Sequence, residues 1–212
     1  MHQRKSKKIL IYFFLIIAIS SINNLSLNNL KFNNINDIKI SGLSKKENNI
    51  LFQEIKKMNL ENIFFISSNE ISSLIDRNSL IEHYVVKKRY PSTIYIEIQR
   101  TNFYAKININ NETFLIGSNG RLSPDDFQNK DLPFIFGKPN IKEFLNFKDT
   151  IDQSKFSYDQ IENLYFYPSK RWDLKMKNNI LFKLSKNLTI EYLNDLYEFL
   201  EQDNIKKFTT VD

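Results

Sequence analysis

From Ile9 to Ile22 the chain reads ILIYFFLIIAISSI, without one charged residue. Beyond it the apolar positions become periodic. Ile38 and Ile40 alternate with Asp37, Lys39 and Ser41, the period of two that predicts a short strand. Gly42 permits a turn. Leu51, Ile55 and Met58 then fall on one face of a helix over 45–58. Ser44, with Glu47 three positions on, is a capping-box signature, each side chain able to satisfy the other's backbone amide. Ile63–Ile66 is a short apolar connection, and Ser67-Ser68-Asn69-Glu70 repeats the cap signal before a second stripe of Ile71, Leu74 and Ile75. Glu82–Arg100 reads as two strands joined at Tyr90-Pro91-Ser92, with Ile94, Ile96 and Ile98 alternating with Tyr95, Glu97 and Gln99. Proline lacks a ladder donor, so Pro91 belongs at the corner. Lys87, Lys88 and Arg89 end the first strand in cations, a common protection for an edge strand. The second strand, apolar along one whole face, is expected at the centre of the sheet. The order strand, helix, helix, strand, strand predicts an α+β unit with both helices on one face of three strands.

After Thr101 the pattern is mostly that of strands. Phe103–Ile109 alternates, and Glu112–Ile116 meets the turn Gly117-Ser118-Asn119-Gly120, which predicts a hairpin. Leu132–Phe136 is apolar and closes at Gly137. Ile141–Ile151 is expected to be helical, with a stripe of Ile141, Leu145, Lys148 and Ile151. Ile161–Tyr167, Arg171–Met176 and Ile180–Leu184 predict three antiparallel strands, turning at Pro168-Ser169 and Asn178-Asn179. Leu193, Leu196, Tyr197 and Leu200 form a helical stripe within Thr189–Glu201, and Lys206–Val211 is a last strand.

Composition narrows this picture. The 212 residues are 42% hydrophobic and 14% aromatic, enough for a packed core. With only 4 Gly and 5 Pro, turns must lean on Asn, Ser and Asp. There is no cysteine, so disulfides, thiolate metal sites and cysteine nucleophiles are excluded. The net charge of +6 is uneven: Arg4, Lys5, Lys7 and Lys8 precede the apolar run with no acid among them, and the rest is close to neutral. The basic balance therefore reports the N-terminus and gives no reason to expect nucleic acid. A basic flank before an apolar run is either a cleavable signal peptide, with Ala18-Ile19-Ser20 as its small-x-small site, or an uncleaved signal anchor reaching towards Leu25 or Leu27. The anchor is the preferred reading. Either way the positive flank stays cytoplasmic and the remainder is exported.

The order of these features resembles the FtsQ/DivIB family of cell-division proteins, along nearly the whole chain. Ile38-Lys39-Ile40-Ser41-Gly42 is similar to the strand-then-Gly start of that family's POTRA domain. Arg89-Tyr90-Pro91-Ser92-Thr93-Ile94, with Ile96 and Ile98, resembles its Arg-x-x-Pro hairpin shortened by one residue, and Gln99-Arg100 stands where Glu-Arg is usual. Gly120, then Leu132-Pro133 with Gly137, then Arg171-Trp172 and Val211-Asp212 match later family positions. Asn102 departs from a common Pro and Gly117 from a common Asp. The sequence also stops where the family continues through another edge strand, the one that pairs with the small division protein FtsB or its counterpart DivIC. The resemblance implies a cytoplasmic tail over 1–8, a single transmembrane anchor over 9–27, a linker over 28–34, a POTRA domain of β-α-α-β-β order over 35–101, and a β-rich α+β domain with a mostly antiparallel sheet over 102–212. It further implies an inner-membrane protein with its bulk in the periplasm, whose partners are FtsB/DivIC-like and FtsL-like single-pass proteins. A POTRA-bearing assembly or secretion factor and an exported hydrolase are the rival readings.

No catalytic, cofactor or metal site is legible. His2 and His83 are the only histidines, there is no Gly-rich phosphate loop, and Asp125-Asp126 after Ser123-Pro124 reads as a solvated turn. The candidate partner-binding residues are the cations Lys87, Lys88 and Arg89 with Tyr90, the pair Arg171 and Trp172, and the terminal strand Lys206, Lys207, Phe208, Thr209, Thr210 and Val211. The first two have a plainer reading beside them. The charge run can simply protect an edge. Trp172 is preferred as a core anchor with Arg171 as its hydrogen-bonding neighbour. The terminal strand is open on one side by construction.

Overall fold

A computed structural model describes residues 3–21, 35, 37–58, 68–125, 131–201, 210 and 211. Helix α1 runs Gln3–Ser21. Its uncharged part, from Ile9 on, spans about 20 Å at 1.5 Å per residue, short of the roughly 30 Å of a bilayer's hydrocarbon core. Among the described residues no helix is long and apolar enough to cross a membrane. The helical half of the anchor reading is therefore met, while positions 22–34, into which its spanning half was expected to extend, lie outside the described residues. The side chains of α1 from Ile9 to Ile17 are all exposed.

The strands and helices that follow are β1 (Asp37–Ser41), α2 (Lys45–Lys56), α3 (Ser68–Ile75), β2 (Ile81–Arg89) and β3 (Thr93–Arg100). The capping box forms as expected: Ser44 Oγ accepts from the Glu47 amide and Glu47 Oε2 accepts from the Ser44 amide at 2.9 Å. The expected connection Ile63–Ile66 lies outside the described residues. The sheet order is β1-β3-β2, so the strand carrying Ile94, Ile96 and Ile98 is central. Those three side chains are buried, as are Leu51 and Ile55 of α2 and Ile71 and Ile75 of α3. β1 and β3 are parallel, with Ile38 opposite Ile94 and Ile40 opposite Ile96. The Tyr90-Pro91 peptide at the corner is cis.

The second sheet has eight strands: β4 (Phe103–Ile109), β5 (Glu112–Gly117), β6 (Leu122–Pro124), β7 (Phe134–Phe136), β8 (Ile161–Phe166), β9 (Trp172–Met176), β10 (Leu181–Lys183) and β11 (Thr210–Val211). Their order is β11-β10-β9-β8-β7-β4-β5-β6. The β8-β9-β10 meander and the β4-β5-β6 run are antiparallel. The short strand β7 joins them, parallel to both β4 and β8, and β11 is parallel to β10. The sheet is thus mixed. Parallel neighbours need a crossover, supplied by α4 (Ile141–Asp152) between β7 and β8 and by α5 (Ile190–Glu201) between β10 and β11.

One residue row explains the core. Phe114, Ile107, Ile135, Leu164, Leu174, Phe182 and Val211 sit side by side across seven strands. With Phe144, Phe147 and Ile151 of α4 and Leu193 of α5 they belong to one hydrophobic cluster. The buried stripe of α4 is Phe144, Phe147, Lys148 and Ile151, so the two phenylalanines take the centre of the face and the expected Ile141 and Leu145 pack at its margin. By their contacts the residues divide into two units, Met1–Ser72 with Val85–Glu97, and Ser73–Tyr84 with Ile98–Asp212.

Candidate partner-binding surfaces

Each sheet ends in strands with one side unpaired by the sheet. In the three-stranded sheet these are β1 and β2; in the eight-stranded sheet they are β6 and β11. An outer strand presents a row of backbone donors and acceptors, the template on which an extended segment can add. β6 is three residues long and carries Pro124, a poor template. β2, at nine residues, is the longest outer strand described.

The pleat divides the cation run that ends β2. His83, Val85, Lys87 and Arg89 are exposed, while Glu82, Tyr84, Val86 and Lys88 are half-buried. Successive side chains of a strand point to opposite faces, so Lys88 does not share a patch with its neighbours. Lys87 Nζ meets Glu97 Oε2 at 2.6 Å, and Arg89 donates to the Tyr95 hydroxyl at 3.2 Å. Lys39 lies 5.5 Å from the centre of the same ring. The hydrogen bond from Arg89 is the main reason the Tyr95 phenol is held below its usual range, with the charge of Lys39 adding to it. The Lys87–Glu97 pair is more than half exposed on both sides. Such pairs contribute only about 0–1 kcal/mol, so a partner can break it cheaply. Tyr90, at the corner, is 57% exposed.

Trp172 is 7% exposed and follows the core reading. Its indole stacks on Phe147 at 4.5 Å and meets Phe166 at 4.7 Å. No partner could reach it without opening the core. Arg171 is different: its guanidinium lies 4.9 Å from the Tyr167 ring centre and faces the buried Asp173, Nη2 donating to Oδ2 at 3.3 Å. Nε stands 3.1 Å from Oδ1, near enough for charge pairing but not aligned as a hydrogen bond. The pair holds a carboxylate inside a sheet while leaving one face of the guanidinium outside.

Of the terminal strand, Thr210 and Val211 pair with Leu181 and Phe182 of β10. Lys206, Lys207, Phe208 and Thr209 lie outside the described residues.

A polar clasp within the second unit escaped the sequence reading. Glu82 Oε2 accepts from Ser118 Oγ at 2.6 Å and from Thr101 Oγ1 at 2.9 Å. Asn119 Nδ2 donates to the carbonyls of Ser79 and Ile81 at 3.0 and 2.9 Å. A Cβ on Gly117 would come within 2.7 Å of Asn119 Oδ1 and 2.9 Å of Thr101 Oγ1. The Asp usual at that family position would crowd this clasp, and the polar turn Gly117-Ser118-Asn119-Gly120 was its one visible signal. Among the described residues there is no group of His, Asp and Glu side chains that could hold a metal.

Comparison with known proteins is consistent with this architecture. Residues 33–99 match the family model of the FtsQ-type POTRA domain. A cell division protein FtsQ of Rickettsia typhi is 24% identical over 163 residues, covering 71% of this chain and 57% of that protein. An FtsQ of Rickettsia prowazekii is 30% identical over 135 residues, 58% of this chain and 46% of its own length. The chain spans about half the length of the curated relatives it matches. The major extracytoplasmic domain of DivIB from Geobacillus stearothermophilus aligns with 12% identity and a TM-score of 0.35, covering 47% of this chain and 87% of that one, too low for the likeness to bear on the fold. Residues 33–99 thus match an FtsQ-type POTRA domain, and over more than half of its length the chain is similar to FtsQ cell-division proteins.

Proposed function

We propose that this protein is a non-catalytic connector of the division complex, which binds partners by accepting their extended segments at the outer strands β2 and β11. The observation that carries this reading is the pair of sheets, each of which, among the described residues, ends in a strand with one side unpaired by the sheet. Backbone bonds along such an edge supply affinity, and alternate side chains supply choice. The partners are FtsB/DivIC-like and FtsL-like single-pass proteins of the septum. The N-terminal segment tethers the protein to the inner membrane, tail in the cytoplasm and bulk in the periplasm. Its basic start and exposed apolar helix support that topology. Confinement to one membrane plane raises the partners' effective concentration and compensates for modest edge affinity.

Tagged protein should gather at the division site of living cells and copurify with FtsB-like and FtsL-like proteins. Uniform distribution over the envelope, with no such protein recovered and septation normal after deletion, would refute the proposal.

A further inference from the structure

Between the start of β4, the loop before β7 and α4 lies a cleft of about 420 Å³, within the range of roughly 300–1,000 Å³ common for ligand sites. Tyr104 and Tyr158 form its aromatic wall, and Asp131, Asp152 and Asp159 also line it. All three aspartates are exposed. The wall already holds one cation. Lys148 is only 7% exposed, yet its Nζ lies 4.6 Å from the centre of the Tyr104 ring and 4.2 Å from that of Tyr158. Asp152, one turn later, accepts from it at 2.6 Å. The Tyr158 hydroxyl donates to the Tyr104 carbonyl at 3.0 Å, which fixes the second ring. Ring faces and a carboxylate set around an ammonium are the components of cation recognition.

The charge is left unbalanced. Lys148 neutralises Asp152, while Asp131 and Asp159 add two further carboxylates. An adjoining hollow is lined by both Arg100 and Asp131. The cleft remains acidic with both cations counted. The Tyr104 phenol is raised, first by burial and then by the charges of Asp152, Glu82 and Asp149. Tyr158 is raised by burial and by Asp152.

We propose that this cleft receives a lysine or arginine side chain from a partner polypeptide, its stem along the Tyr104 wall and its charged head between Asp131 and Asp159. A long basic side chain suits the site because its methylenes can cover apolar surface while the head reaches the carboxylates. The occupant is a basic peptide segment, and its binding does not require strand addition at β2 or β11.

The test is a fluorescence-anisotropy titration of the full chain with a fluorescein-labelled peptide, Gly-Leu-Lys-Gly-Arg-Leu-Gly. Its counterpart carries Glu at both charged positions. Saturable binding of the basic peptide alone is expected, weakening as salt rises. The double variant Asp131→Asn/Asp159→Asn should weaken it about tenfold with an unchanged thermal midpoint. The single reversal Asp159→Lys, at an exposed position, should act in the same direction. Equal binding of the two peptides, no saturable binding, or wild-type affinity in the variants would each overturn the proposal. None of these outcomes bears on the edge-strand reading.

Discussion

Trp172 shows how a single side chain sets the character of its surroundings. It is the only tryptophan, is buried, and touches Phe144, Phe147 and Phe166. Trp172→Ala should cost about 3–5 kcal/mol, as aromatic truncations in a core do. A fall in the urea midpoint followed by far-ultraviolet circular dichroism checks it; an unchanged midpoint would return Trp172 to the surface. Gly137 is held by geometry instead. Its φ is +104°, and a Cβ there would stand 2.2 Å from the Phe166 carbonyl oxygen. Gly137→Ala should lower stability by about 1–3 kcal/mol, read in the same experiment. Both residues stood out in the sequence, Trp172 as a large aromatic at an apolar position alternating with charged ones and Gly137 as the end of a strand. Lys87, Lys88 and Arg89 were less legible. Their adjacency suggested one patch, whereas a strand sends neighbours to opposite faces. Lys87→Glu/Arg89→Glu should therefore reduce partner recovery at least severalfold with little change in melting temperature, since the ion pair lost is an exposed one. A large drop in melting temperature would assign these residues to structure.

At the scale of elements, local rules carried far. The capping box at Ser44, the corner at Pro91 and the Asn-containing turns came from short-range chemistry that needs no tertiary context. Asn110, Asn111 and Asn179 adopt positive φ at such turns. Helix α4 was legible as a helix, but its buried face was read a little to one side, because Lys148 in the stripe obscured Phe144 and Phe147. The turn before β9 is tied to the start of α4 by Lys170 and Glu143 at 2.8 Å. Glu143 is held below its usual range chiefly by the Lys170 hydrogen bond, then by the Asn140 amide, and Lys170 is raised by the same bond. The support Glu143 gives is present above its ordinary pKa and lost as pH falls through the lowered one. That of Lys170 is present below its ordinary pKa and lost as pH rises through the raised one. In Lys170→Ala the Glu143 carboxyl, followed by carbon-13 NMR, should titrate at higher pH than in the parent while staying under its ordinary range, since Asn140 still donates. An unmoved midpoint would remove the ion pair from solution.

The whole molecule holds what local pattern could not supply. Nothing in Phe134–Phe136 says that three residues join two antiparallel runs as a parallel strand, or that β11 lies beside β10. Those placements follow from burying one apolar row, which runs across seven strands, under two crossover helices. The clasp of Glu82, Thr101, Ser118 and Asn119 is equally non-local, uniting residues up to 40 positions apart. The central claim concerns the outer strands. The most direct measurement is hydrogen exchange of the full chain with and without the exported segment of an FtsB-like partner. The account predicts slower exchange along the backbone of β2 or of the strand ending at Val211. Protection confined to helices α2 to α5, with both outer strands exchanging as before, would contradict it.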